Sequence, residues 1–279
     1  MYRIPVTYTD ARGTDWDLQV ADVLIRSANF HSWEFEAEAI DRRNGVRVSR
    51  FRRAAANYET IIYFGGSSYS RRARIDAFHS AIERDVRERT PGRLTWRDWY
   101  LDCYIISSST HPEQDTNYTA NDVTLYAPYP FWIKPETISF EAQEYDPSQS
   151  TWLDYDYGYD YDYTPDPVGV SQIVVDTPGS SDFRLVMFGP VAPPAVKIGG
   201  IWRSADVALD TDDYLTIDSR AKTVIITRSN GDIVNAFNYR NKAESIFTPL
   251  PVGTSEIIWS GEFGFDLTVF KERSEPAWT

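Results

Sequence analysis

The segment GGSSYSRRARIDAFHSAIERDVRERTPGRLTWRDWYLDCYII covers residues 65–106 and combines a clear helix pattern with a tight hairpin. After its Gly/Ser start, apolar residues recur near the helical period, at Ala73, Ile75, Phe78, Ile82 and Val86. The sequence Thr90-Pro91-Gly92 then ends the helix. Two apolar runs joined only by Arg97-Asp98 follow it and predict a pair of strands. We therefore expect an amphipathic helix that covers a sheet through Phe78 and Ile82, followed directly by a hairpin.

The rest of the sequence predicts β-structure. Aromatic residues make up 15% of the chain and are joined by short β-branched runs with turn signals between them. Predicted strands in the first part are 18–25, 31–40, 58–64, 93–96, 99–106 and 122–126. Those in the second part are 171–176, 182–189, 195–198, 214–218, 223–228, 245–247, 256–260 and 265–271. Ser229-Asn230-Gly231-Asp232 is the strongest hairpin signal, and eight short strands indicate a β-sandwich or jelly roll.

Prolines mark the expected division between two domains. The sequence APYPFWIKP, residues 127–135, contains three prolines, which we expect to end strand pairing and extend the chain. A second pair, Pro165 and Pro167, follows. We predict an N-terminal domain at 1–134, an extended linker rich in Pro, Tyr and Asp at 135–167, and a C-terminal sandwich at 168–279.

The predicted linker contains the run WLDYDYGYDYDY at 152–163. In an extended chain, alternation places tyrosines on one face and carboxylates on the other. We expect the tyrosines to make protein contacts while Asp154, Asp156, Asp160 and Asp162 face water or a basic neighbour. A loose calcium site formed by these carboxylates is an alternative, although the glycine and terminal glutamate of the usual calcium loop are absent.

Charge argues against general binding to nucleic acid. The formal net charge is −13, and phosphate recognition needs clustered cations. The arginines nevertheless concentrate before residue 100, which suggests complementary surfaces on neighbouring copies or partners. Cys103 is the single cysteine and is expected to be a buried thiol. No stretch has the pattern of a signal peptide or membrane span, so we expect a protein kept in solution without a membrane partner.

Catalytic signatures are absent from the sequence. His31, His79 and His111 have no ligand spacing, and no common nucleophile, phosphate-loop or zinc-protease motif occurs. We therefore expect no metal, no cofactor and no enzyme activity, while an Asp/Glu pair acting on carbohydrate stays an open alternative. Trp202 or Trp259 could stack on a sugar ring, although core packing is the commoner role of such residues.

Several features also occur together in one order along the chain. They are FEAEAIDRRNGVRVSRFRRA (35–54) with two strands around an Asn44-Gly45 turn, SRRARIDAFHSAIE (70–83), the GRLTW…DCYI hairpin, the Pro-rich exit 127–132, YDYGYDYDY (155–163) and ERSEPAW (272–278). In this order the chain resembles the distal tail proteins of long-tailed, siphovirus-type bacteriophages. The resemblance covers nearly the whole sequence.

That resemblance implies a mainly β fold with an N-terminal ring-forming domain of sheets, one helix and a hairpin, plus a C-terminal galectin-like sandwich. It implies a homo-hexameric virion protein, made in the host cytoplasm and placed at the distal end of the tail. Its neighbours would be the tail tube protein, the tail-associated hub protein, the tape measure protein and receptor-binding proteins. The expected interaction residues are Arg71, Arg72, Arg74, Trp96, Trp99, Tyr155, Tyr157, Tyr159, Tyr161 and Tyr163.

Two other functions stay open at this point. One is a sugar-binding adhesin that acts through the C-terminal sandwich, and the other is a carbohydrate-active enzyme. Relatives with an added carbohydrate-binding module are longer than this chain, so the resemblance gives no support here for their direct role in host adhesion.

Overall fold

The structure is a computed structural model that describes residues 4–26, 28–112, 117–143 and 169–278. The chain divides into two compact units, Met1–Lys134 with Glu272–Thr279, and Pro135–Lys271. Strands dominate the described ranges, which contain one α-helix, so the expectation of a mainly β fold is confirmed.

Eleven strands precede residue 141, and the helix α1 (Ser68–Glu88) lies among them. The strands are β1 (Val6–Thr9), β2 (Asp15–Asp17), β3 (Gln19–Val20), β4 (Val23–Arg26), β5 (Glu36–Arg42), β6 (Gly45–Arg52), β7 (Ala56–Phe64), β8 (Gly92–Trp96), β9 (Trp99–Pro112), β10 (Thr119–Ala127) and β11 (Trp132–Phe140). Nine more strands follow residue 168. They are β12 (Gly169–Val175), β13 (Asp182–Phe188), β14 (Ala195–Ile198), β15 (Ile201–Ser204), β16 (Tyr214–Asp218), β17 (Thr223–Thr227), β18 (Ile233–Asn235), β19 (Gly253–Trp259) and β20 (Phe265–Arg273).

The first unit is built on antiparallel pairs in the order β3-β4-β7-β10-β9-β8-β1-β2. The long strand β9 takes part twice, because residues 99–103 pair with β8 and residues 104–112 pair with β10. Arg97 adopts a left-handed conformation in the two-residue turn before β9, as the predicted tight hairpin requires. Helix α1 packs against β9 and β7, and its Phe78 and Ile82 belong to the buried core of this unit.

Local signals explain both ends of α1. The Ser67 side chain accepts a hydrogen bond from the backbone N–H of Ser70 at 3.3 Å, and Arg89 ends the helix in the left-handed region. The predicted apolar face is wrong at two positions, since Ala73 is exposed and Val86 is 40% exposed.

Asp85 is buried, whereas the apolar pattern had predicted that its neighbour Val86 would be. Residue 85 lies about two full turns beyond Phe78, whereas residue 86 is rotated from that face by about 80°. The Asp85 carboxylate accepts hydrogen bonds from Tyr8 Oη at 2.9 Å and from the Ala11 backbone N–H at 3.1 Å. Those two donors explain why a carboxylate is tolerated on the buried face.

The second unit is a sandwich of two antiparallel sheets around one core. One sheet has the order β18-β17-β16-β13-β20-β11, to which β11 contributes its residues from 135 onward. The other sheet has the order β12-β19-β14-β15. Residues from both sheets form a single buried cluster, including Phe183, Met187, Ile257 and Phe265. The predicted Asn230-Gly231 hairpin is present between β17 and β18.

Several strand predictions fail. Residues 18–25 form two short strands, β3 and β4, which pair with each other across a turn at residues 21 and 22, and the predicted strand 31–40 begins only at Glu36. Residues 245–247 form successive turns instead of a strand, since Ile246 N–H donates to Glu244 O and Thr248 N–H donates to Ser245 O. Residues 127–135 do not end strand pairing, because β11 begins at Trp132 and continues through Pro135. A proline is tolerated in a strand where its missing N–H is not needed for the ladder, and buried Trp132 and Ile133 favour continued pairing.

The limits of the two units differ from the predicted domain limits at the C-terminal end of the chain. Arg53 Nη2 donates to Ser274 O at 3.1 Å, and the His31 ring stacks on Trp278 with 3.8 Å between centroids. The last described residues therefore pack with the first unit, whereas the prediction had placed them with the sandwich. Residues 144–168, which include most of the predicted linker, lie outside the described residues, and the limits 1–134, 135–167 and 168–279 stay predictions.

Candidate subunit-interaction surface

Strands β5 and β6 form a two-stranded sheet that pairs with no other strand in the described ranges. Every residue in these strands is exposed. The pair turns at residues 42–45, where Gly45 has a φ of 106°, a conformation that favours glycine. The predicted strands around Asn44-Gly45 are therefore present, and we call residues 36–52 the arm hairpin.

The two faces of the arm hairpin differ in chemistry. Directly paired residues share a face, and the pairs Ala37–Phe51, Ala39–Val48 and Asp41–Val46 make one face largely apolar. The pairs Glu36–Arg52, Glu38–Arg50 and Ile40–Arg47 make the other face charged. The arm hairpin is thus amphipathic across its thickness.

A β-bulge makes this separation possible. Val48 and Phe51 are three residues apart, so a regular strand would point them to opposite faces. The register shifts between Glu38 and Ala39, and Ser49 is the extra residue on the opposite strand. The Ser49 hydroxyl donates to Glu38 O at 2.8 Å. The bulge therefore gathers the apolar side chains on one face.

Large apolar side chains on that face are open to water. Phe51 is 65% exposed and Val46 is 64% exposed, and Trp33 and Phe35 lie exposed just before β5 with 5.6 Å between their ring centroids. A contiguous exposed apolar surface of this kind is typical of a contact site. The arm hairpin is therefore the best candidate for an interface in the described residues.

The arm hairpin is joined to the first unit through Arg53. Its guanidinium lies 5.0 Å from the Phe131 ring centroid and donates to Tyr58 Oη at 3.3 Å. Burial lowers the pKa of Arg53, an effect opposed by the nearby Tyr58. Together with its bond to Ser274 O, these contacts fix the chain at the exit of β6.

The predicted interaction residues occupy different environments. Arg72 is exposed on α1 and Arg71 is partly exposed, whereas Arg74 lies 3.6 Å from Asp22 and donates to Gly65 O. Trp96 packs against the core with 5.7 Å between its ring centroid and that of Phe30. Trp99 is buried. Packing in the core accounts for both tryptophans, and the interaction role of these five residues stays a prediction.

The five tyrosines in the run at 152–163, and the four aspartates beside them, lie outside the described residues. Alternation of tyrosine with small or acidic residues is what made this segment a predicted contact site. The apolar face of the arm hairpin was not predicted, because the bulge interrupts the alternation of apolar and polar residues along β6.

The structure gives the histidines separate local roles. His79 Nε2 lies 2.7 Å from Asn121 Nδ2 and 3.1 Å from Ser108 Oγ, which links α1 to β9 and β10, and burial lowers the pKa of His79. His111 pairs with Asp122 at 3.0 Å on the surface. Among the described residues, no three His, Cys, Asp or Glu side chains are grouped as metal ligands. Cys103 is fully buried, which raises the pKa of its thiol.

The two tryptophans considered for sugar binding differ in access. Trp259 is buried, and its Nε1–H donates to Phe263 O at 3.1 Å, so packing explains it. Trp202 is partly exposed, and Lys197 Nζ lies 5.7 Å from its ring centroid. In the described part of the chain, no helix is both long and apolar enough to cross a membrane.

These features define a class of protein: a mainly β chain of two units, with a core-packed helix and a free amphipathic hairpin in the first and a β-sandwich in the second. No protein-family model matches the chain, and no curated protein matches it. Solved structures do match, and among them are a phage adsorption-apparatus protein and chains of a phage baseplate.

The Dit protein (gp 19.1) of phage SPP1, described as "a Paradigm of Hub Adsorption Apparatus in Gram-positive Infecting Phages", has a TM-score of 0.62 at 9% identity, over 96% of this chain and 99% of its own. A chain of the phage P2 baseplate in its activated conformation with Ca has a TM-score of 0.68 at 12% identity, over 99% of this chain and 100% of its own. The corresponding structure with Sr has a TM-score of 0.67 at 13% identity, also over 99% of this chain and 100% of its own. The predicted resemblance is confirmed at the level of the fold.

Proposed function

We propose that this chain is a structural virion protein at the distal end of a phage tail, where it forms a hexameric ring that joins the tail tube to the host-recognition apparatus. The fold shared with the SPP1 Dit protein and the P2 baseplate chain over nearly the whole length supports this role. Its neighbours would be the tail tube, tail-associated hub and tape measure proteins, together with receptor-binding proteins. The role needs no catalysis, cofactor or membrane.

The exposed apolar face of the arm hairpin carries the proposal. A monomer leaves Phe51, Val46 and Val48 in water, whereas a neighbouring copy can cover them. Burying apolar area contributes about 25 cal/mol per Å². A head-to-tail contact of this kind closes into a ring when the rotation between copies returns on itself.

Paired variants test this contact. Val46→Ser with Phe51→Ser removes apolar surface from the proposed contact face, and we expect it to shift the full-length chain from the assembled to the monomeric form. Ile40→Ser is the matched control, since Ile40 is 55% exposed but pairs with Arg47 on the charged face. Light scattering at several protein concentrations measures the shift. Equal assembly of the two variants and the wild type would place the interface elsewhere.

The sugar-binding adhesin stays the alternative, and the partly exposed ring of Trp202 beside Lys197 is the observation that favours it. Stacking on a pyranose would need that ring face. Glycan-array binding by the wild type that is lost in Trp202→Ala, but kept in Trp278→Ala, would support it. Trp278 is exposed in the first unit and so serves as a matched control.

A further inference from the structure

Strand β12 lies at one edge of the four-stranded sheet in the second unit. It pairs with β19 along its whole length, from Gly169 opposite Trp259 to Val175 opposite Gly253. Among the described residues, no strand pairs with the other side of β12. An unpaired strand edge presents a row of free backbone N–H and C=O groups, so it is a template on which another strand can add.

The sequence of β12, GVSQIVV, lacks the features that usually protect such an edge. It contains no charged residue and no proline. Two other edges of the sandwich are better protected. Strand β18 has only three residues, and the end of β15 is covered because Ser204 O accepts a hydrogen bond from Asn241 N–H and Ala205 pairs with Arg240. Of these three edges, β12 is therefore the one most open to strand addition.

The strand register shows which backbone groups of β12 point to the free edge. Gly199 N–H donates to Glu256 O at 2.9 Å, so Glu256 directs its backbone groups towards β14. Successive residues of an antiparallel strand bond to opposite neighbours, so Ile257 bonds to its partner Ser171 in β12. The β12 residues that alternate with Ser171 direct their N–H and C=O groups to the free edge. They are Val170, Gln172 and Val174.

The side chains at these three positions complement those of an identical strand. Val170 is 57% exposed and Val174 is 63% exposed, with the exposed Gln172 between them. When a second β12 runs antiparallel with Gln172 opposite its own copy, each Val170 lies opposite the Val174 of the other strand. Each of these pairs can then exchange two backbone hydrogen bonds. The valine pairs add cross-strand apolar contacts, and no charge on either strand opposes the approach.

We infer that β12 is a self-association site, where a second copy of the chain adds its own β12 in this register and joins the two four-stranded sheets into one. The contact is isologous, because both copies use the same surface. It goes beyond the proposed ring and does not depend on it. A two-fold contact cannot link neighbours in a head-to-tail ring, so in the proposed assembly it would join copies from different rings. One strand edge buries much less than the roughly 800 Å² per partner of a stable complex, so we expect association at high protein concentration.

Paired charge substitutions test the antiparallel register in the full-length chain. Val170→Lys with Val174→Lys places lysine opposite lysine in both valine pairs, and should weaken the association by about ten-fold or more. Val170→Lys with Val174→Glu is the matched control, because it changes the same two residues but places lysine opposite glutamate. We expect this control to associate within about three-fold of the wild type.

Sedimentation velocity up to about 1 mM chain measures the contact as a doubling of the mass of the species present at low concentration. Thermal unfolding checks that each variant is folded. Doubling in the wild type and in the Lys/Glu variant, with weaker doubling in the Lys/Lys variant, supports the contact. A wild type that never doubles, or two variants that behave alike, overturns it.

Hydrogen exchange of the β12 amides distinguishes a second copy from a segment of the same chain. We expect the amides of Val170, Gln172 and Val174 to exchange more slowly as the protein concentration rises. Slow exchange at every concentration would mean that the edge is covered within a single chain, and would overturn the inference. A monomeric species at low concentration would count against the ring alone, because the β12 contact is measured as doubling of whichever species is present.

Discussion

Replacing Phe78 with alanine probes the packing that holds α1 on the first sheet. The Phe78 side chain is fully buried, and its ring meets Tyr8 at 6.2 Å, Trp16 at 5.4 Å and Phe64 at 5.7 Å between centroids. Removing a buried phenylalanine costs about 3–5 kcal/mol through lost transfer energy and a residual cavity. Three aromatic neighbours on different elements cannot all collapse into the space, so we expect a value in the upper half of that range.

Urea unfolding followed by tryptophan fluorescence measures this loss, with Trp16 directly beside the altered site. Val86→Ala is the control on the same helix, since Val86 is 40% exposed and should cost less than about 1 kcal/mol. A Phe78→Ala cost below about 1 kcal/mol, or one equal to that of Val86→Ala, would refute the assigned helix face.

Three further predictions concern buried polar groups and the thiol. Tyr8→Phe removes a donor to the buried Asp85 carboxylate and should lower the free energy of unfolding by about 1–3 kcal/mol in urea titration; an unchanged midpoint would contradict it. The hydrogen bond from Arg228 holds the pKa of Asp213 below its ordinary value of 3.8. The ionised Asp213 carboxylate therefore stabilises the folded state fully above pH 3.8, and this stabilisation is lost as pH falls through the lower pKa of the folded state. In thermal melts between pH 5 and about pH 2, the melting temperature of Asp213→Asn should fall less than that of the wild type. Cys103 should react with a thiol reagent at about pH 8 only after denaturation, because burial raises its pKa; fast reaction of the native protein would be inconsistent with this.

Elements governed by local sequence could be predicted closely. Strands 195–198 and 214–218 have the predicted limits, because alternating apolar residues between clear turns leave one register that buries them. The predicted helix core at Phe78 and Ile82 also holds, since the apolar period fixes which face packs.

Features set by tertiary contacts could not be predicted. The sequence does not show that Tyr8 and Ala11 supply donors for Asp85, so the apolar pattern predicted Val86 on the buried face instead. The bulge at Ser49 likewise hides the apolar face of the arm hairpin, because it changes the alternation within one strand. The candidate interface can therefore be identified only from the strand register in the structure.

The mass of the purified full-length chain in solution tests the central claim most directly. One chain has a mass of 32.0 kDa, so a closed ring of six copies should give a species of about 192 kDa. Electron microscopy of that species should show rings with sixfold symmetry. A chain that remains at the mass of the monomer at all concentrations, or that forms open filaments without closed rings, would contradict the account.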